Sequence, residues 1–165
     1  MASSNASSWY NSVVEFTEQS KNIKIPSTPR PLTRAEMDFI LSMILDECLE
    51  LTSTFPELQG RGKEHLTELL QARTERTDLI QEHSTASLVA EHADGFIDII
   101  YYILNASAKA GINLDAFFNE VHSANMRKRD PETGKFILNE QGKVIKPPGY
   151  VGADTKALAA RLLPQ

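Results

Sequence analysis

The chain has one cysteine, Cys48, which excludes an internal disulfide and any zinc centre built from paired cysteines. Cys48 lies between Ile44 and Leu51 on the apolar face of a helical pattern, so a buried, inert thiol is expected there. No apolar run approaches the roughly 20 residues needed to span a bilayer, and no membrane contact is expected. No Lys or Arg precedes Lys21 and the start has no hydrophobic core; neither secretory nor mitochondrial import is indicated, and the cytoplasm is the expected compartment. There is no Walker loop and no GxSxG elbow. The most telling absence is of positive charge. Residues 35–60 carry Glu36, Asp38, Asp46, Glu47, Glu50 and Glu57 but no Lys or Arg, and residues 77–108 have no Lys or Arg either.

What is present is the composition of a globular protein, 41% hydrophobic and 24% charged, in a chain of 165 residues that suits one domain. A net charge of −5 argues against nonspecific binding to nucleic acid, and no nucleic-acid partner is expected. Residues 1–8 are small and polar and read as a disordered tail; residues 9–165 read as the single domain. Trp9, Val13, Val14 and Phe16 predict a short helix over residues 9–19, and Pro26, Pro29 and Pro31 an extended linker after it. Thr33 and Glu36 form a capping box that opens a helix running to about residue 54. Residues 64–82 read as a partly solvated helix broken near 73–77. A central helix starts at Ser84 or Thr85 and ends near Gly111, and Asn113 starts another. Two apolar runs, at 136–138 and 144–145, flank Asn139 and Gly142 and predict a small β-hairpin, and Asp154 caps a last helix. The expected fold class is therefore all-α, a helical bundle of four to five helices with a small C-terminal β-hairpin.

The centre of this pattern is residues 91–104, EHADGFIDIIYYIL. Ile97, Ile99, Ile100, Ile103 and Leu104 spread around most of the helix, which predicts burial. Glu91, Asp94 and Asp98 nevertheless fall within about 60° of one another at helical spacing. Isolated buried carboxylates cost several kcal/mol each, roughly, unless a cation compensates them. With no Lys or Arg nearby in sequence, a metal ion is the leading partner. Glu47 and Glu50 form a second pair at i, i+3, with Asp46 beside them. On its own, ExxE is common on solvated helix faces; the second cluster, set among isoleucines and tyrosines, is the stronger signal. All-oxygen donors select a hard ion, Mg²⁺ or Mn²⁺, over zinc. A dinuclear iron bundle would need Glu-x-x-His, and His65, His83, His92 and His122 all have the wrong spacing. Arg127, Lys128, Lys143 and Lys146, in a basic C-terminal region, could hold phosphate oxygens.

These motifs resemble the all-α NTP pyrophosphohydrolase superfamily, which includes MazG and the phosphoribosyl-ATP pyrophosphohydrolase-like proteins. The likeness rests on Glu47-Cys-Leu-Glu50 followed by Glu91-His-Ala-Asp94, and on EVHSANMRKRD, Gly134-Lys135 and GKVIKPPGY, and it extends over about residues 10–150. The resemblance implies Mg²⁺-dependent cleavage of a nucleoside triphosphate between the α- and β-phosphates, to the monophosphate and pyrophosphate. It implies Glu47, Glu50, Glu91 and Asp94 as metal ligands, with Asp98 as an extra one and Asp46 assisting. Glu47 or Glu50 would act on the attacking water. Asn125 and Lys128, and then Lys143 and Lys146, would contact nucleotide or phosphate. Asp98-Ile-Ile-Tyr101 also fits the D-x-x-Y that often follows ExxD, which leaves a second register open.

A central helix apolar nearly all round has more surface than one small bundle covers, so a homodimer or homotetramer is expected. The alternative is a non-catalytic metal-binding helical module; a weaker one is an interaction bundle whose acids pair with Arg127–Arg129.

Overall fold

The computed structural model describes residues 8–73 and 84–163. Among these the protein is all-helical: α1 (Trp9–Lys21), α2 (Arg34–Thr52), a 3₁₀ turn (Pro56–Leu58), α3 (Gly62–Gln71), α4 (Thr85–Lys109), α5 (Leu114–Met126) and α6 (Thr155–Leu162). The expectations for the tail at 1–7 and for residues 74–82 of the charged segment lie outside the described residues. The chain divides into two compact units, one formed by Pro29–Asp98 and the other by the segments that flank it; α4 contributes its first part to one and its last part to the other.

In the unit that opens with Pro29, the Thr33 hydroxyl accepts from the Glu36 amide at 3.2 Å and the Glu36 carboxylate accepts from the Thr33 amide at 2.8 Å, completing the capping box. Arg30 adds a two-pronged ion pair to the same carboxylate, at 2.6 and 2.9 Å. Arg30 foremost, then Thr33, lowers the Glu36 pKa from its ordinary 4.5 to about 2. The segment leading into α2 is also tied to α4, because the Leu32 amide donates to His92 Nδ1 at 3.2 Å. That bond makes His92 a structural acceptor. The Ser84 hydroxyl accepts from the Ser87 amide at 3.2 Å and caps α4. α3 packs on α2 so closely that a Cβ on Gly62 would strike the Thr52 hydroxyl.

In the other unit, α5 packs against both α1 and α6. The Trp9 ring stacks on Phe118 with centroids 4.6 Å apart, and Phe118 lies parallel to His122 at 6.2 Å. Asn22, in the left-handed conformation (φ 52°), ends α1. Asn113 caps α5, its side chain accepting from the Asp115 amide at 2.9 Å, and Asp154 caps α6 through the Ala157 amide at 2.9 Å. Gly111 (φ 71°) and a bond from the Ile112 amide to the Ser107 carbonyl at 2.9 Å close α4.

Three expectations need correction. The C-terminal β-hairpin is not formed: among the described residues there are only two isolated antiparallel bridges, Arg129 with Phe136 and Leu138 with Val144. The Asn139 side chain takes the amides of Gln141 and Lys143 at 3.1 and 2.8 Å, and Pro147 and Pro148 have no amide to extend a ladder. Second, among the described residues six α-helices replace the expected four to five, because the short α3 and α6 are complete helices. Third, the apolar residues of α4 are not buried: Ile97 is 57% and Ile103 54% exposed, and Cys48 on α2 is only half-buried. The sole buried apolar residue among those described is Ala124 on α5.

Two outcomes follow. Gly62→Ala should destabilise the chain by about 1–3 kcal/mol, since Thr52 would have to leave its place, and a lower thermal midpoint checks this. Because the folded pKa of Glu36 lies below its ordinary value, its contribution to stability is complete above pH 4.5 and is lost as pH falls towards 2. Glu36→Gln should flatten that part of the stability profile; an unchanged acid limb would contradict the assignment.

Candidate functional site

The five acids singled out by spacing sit on two helices of one unit. Glu47 and Glu50 lie near the C-terminal end of α2, and Glu91, Asp94 and Asp98 lie along the first part of α4. All five are exposed. Helical geometry aligns each group on one face: positions 47 and 50 are i, i+3, and 91, 94 and 98 follow i, i+3, i+7. Among the described residues, no Lys or Arg pairs with Glu47, Glu50, Asp94 or Asp98. The acids that do have cationic partners are others, such as Glu36 with Arg30, Asp38 with Arg34 at 2.7 Å, and Glu64 with Arg61 at 2.8 Å. Each of those partners is at most six residues away, a distance the cation-free stretches around Glu47, Glu50, Asp94 and Asp98 do not allow.

As donors, five carboxylates suit a hard divalent cation such as Mg²⁺, and the set offers no sulfur or imidazole to draw a softer metal. Among the described residues, no three His, Cys, Asp or Glu side chains are gathered closely enough to hold an ion. The chain thus brings the acids onto two helix faces and does not by itself converge three of them on one point.

The four expected substrate-binding residues all belong to the other unit. Asn125, on the last turn of α5, borders a small cavity of about 60 Å³ with Phe16, Phe118 and His122. Lys128 is half-buried just beyond that helix, and Lys143 is exposed. Lys146 lies 5.9 Å from the Tyr150 ring centre, a cation–π contact that leaves its ammonium in solvent.

The structure separates these lysines from the arginines beside them. Arg127 donates to Ser123 at 2.9 Å, to Glu120 at 3.4 Å and to the Gly152 carbonyl at 3.3 Å, which joins α5 to the segment before α6. Arg129 covers Phe136 at 5.2 Å and donates to Gln19. Lys21 donates to the Gly142 carbonyl. These bonds hold the C-terminal loops against α1 across more than a hundred residues of sequence, and no local pattern announces them.

The loop between Arg129 and Phe136 is set by Asp130. Its carboxylate accepts from the Thr133 amide at 2.7 Å, the Thr133 hydroxyl at 2.9 Å and the Glu132 amide at 3.1 Å, bonds that lower its pKa. Gly134 (φ 67°) completes the turn, and the Asp130 amide returns to the Lys135 carbonyl at 2.8 Å. Among the described residues, no helix is long and apolar enough to cross a membrane.

In fold, the chain is similar to a solved structure from Exiguobacterium sp. 255-15, titled a "putative NTP pyrophosphohydrolase", with a TM-score of 0.69 at 20% identity, covering 94% of each chain. No curated protein matches it. The sequence profile of the phosphoribosyl-ATP pyrophosphohydrolase family matches residues 16–125, a span that holds both acidic motifs and ends on Asn125. The chain belongs to the phosphoribosyl-ATP pyrophosphohydrolase family.

Proposed function

We propose that the protein is a Mg²⁺-dependent nucleoside triphosphate pyrophosphohydrolase, with a role in nucleotide-pool maintenance in the cytoplasm. The observation that carries this reading is the family match across residues 16–125, which takes in Glu47, Glu50, Glu91, Asp94 and Asp98 together. The all-carboxylate chemistry of those positions agrees with it.

In this reading Glu47, Glu50, Glu91, Asp94 and Asp98 hold Mg²⁺, for which Mn²⁺ can substitute, and Asp46 stands beside them. The bound ion supplies neutralisation of the triphosphate and polarisation of its α-phosphorus. Glu47 or Glu50 orients the attacking water and takes its proton. Water adds to the α-phosphorus, the bond to the bridging oxygen of the β-phosphate breaks, and pyrophosphate leaves the nucleoside monophosphate. Asn125, Lys128, Lys143 and Lys146 contact the nucleotide and the phosphate oxygens, lysine acting as a point charge.

The protein acts as a homodimer or homotetramer. The exposed isoleucines of α4 support this, since covering one such side chain is worth about 1.5–3 kcal/mol. A second copy would also bring further carboxylates to faces on which one chain converges too few.

Glu50→Gln and Asp94→Asn should each lower pyrophosphate release by at least about 100-fold, the scale of losing a positioned catalytic group, with helical circular dichroism unchanged. Full activity in either variant would remove that residue from the mechanism. Metal-dependent stability without turnover in the unaltered protein would instead favour the non-catalytic metal-binding module. Light scattering should give twice or four times the chain mass, and Ile103→Glu should lower it; a monomeric unaltered protein would contradict the assembly.

A further inference from the structure

A cavity of about 430 Å³ opens between the end of α1 and the loop that joins Arg129 to Phe136, within a single unit of the chain. Its lining includes Gln19, Ser20, Asn22, Arg129, Lys135 and Phe136. Two of these are cations, and no Asp or Glu lines it among the described residues. None of the six belongs to the acids or the substrate-binding residues assigned above.

The arginine is held in place by two contacts, each of them braced in turn. Glu15 accepts from the Gln19 amide nitrogen at 3.1 Å, and the Gln19 oxygen in turn accepts from one end of the Arg129 guanidinium. The Phe136 ring covers the guanidinium face, and Phe16 meets that ring edge-on at 5.4 Å. One terminal nitrogen is thus spent on orientation, and the remaining N–H groups of the fork are left to donate. The Lys135 ammonium has no hydrogen-bond or ion-pair partner among the described residues, and neither does the Asn22 side-chain amide. A prearranged guanidinium fork, a second cation and a neutral amide donor around a space this size suit a tetrahedral anion with several acceptor oxygens.

We propose that this cavity is a phosphate-binding site, sized for a phosphate that carries a second group, with Arg129 and Lys135 as its charged contacts and Asn22 as a neutral donor. The site needs no metal and is independent of the hydrolytic reading. Phosphate supplied as inorganic pyrophosphate or within a nucleoside monophosphate would engage the same donors.

The test is titration calorimetry of the full chain with inorganic pyrophosphate and, separately, a nucleoside monophosphate, both with chelator present. Saturable binding of either is expected, and it should weaken about tenfold or more in Lys135→Gln and in Arg129→Gln, the scale of one lost charge-assisted hydrogen bond. Lys109→Gln and Lys156→Gln, which remove an exposed charge outside the lining, should leave it unchanged. Lys135 is exposed, so its variant keeps the test valid if Arg129→Gln disturbs Phe136. Preference between the two ligands identifies the source of the phosphate. No saturable binding, an equal loss in the Lys109 or Lys156 variants, or tighter binding of citrate than of either phosphate ligand would overturn the proposal.

Discussion

Uncompensated negative charge is the constraint on which the account depends. Elsewhere in the chain, acids find partners close by: Glu36 closes its own capping box and holds Arg30, and Asp130 gathers the donors of its own turn. Glu47, Glu50, Asp94 and Asp98 lie in stretches without a Lys or Arg, and the described structure gives none of them a cation. Like charges set one turn apart on a helix repel, by about 0.2–0.5 kcal/mol per exposed pair. In the proposed reading a divalent cation shared with a polyanionic substrate would relieve that repulsion, and membership of the phosphoribosyl-ATP pyrophosphohydrolase family agrees with such a role.

The same two helices carry the chain's other deficit. α2 and α4 expose Leu41, Leu45, Leu51, Ile97, Ile100 and Ile103, while α1 and α5 cover part of their apolar surface by stacking Trp9 on Phe118. Acidic face and uncovered apolar surface therefore occur together on one pair of helices. A second copy that covers the apolar surface would change the surroundings of the acids as well, which joins assembly to activity in the proposed reading.

Much of the helical framework was legible because its signals are local. Thr33 with Glu36, Asn113, Asp154 and Gly111 each mark a boundary through bonds made within a few residues, and the structure has those bonds. The hairpin is absent for an equally local reason, since the Asn139 side chain takes the Lys143 amide that a ladder would use. Burial of α4 could not be read from its own pattern, because periodicity states which residues seek cover and not whether one chain provides it. Type, spacing and the missing cations single out the acids in the sequence, but among the described residues no three of them converge on one point. The bonds of Arg129 to Gln19 and of Lys21 to Gly142 were invisible, because they join segments whose adjacency only the packing of α1 decides.

The most direct measurement is to supply a panel of ribo- and deoxyribonucleoside triphosphates in heavy-oxygen water, with Mg²⁺ and with chelator, and to follow the label by mass spectrometry. Mg²⁺-dependent turnover of at least one nucleotide is expected, with label in the nucleoside monophosphate and none in the pyrophosphate. Label in free phosphate with release of the diphosphate, or equal turnover under chelation, would contradict it.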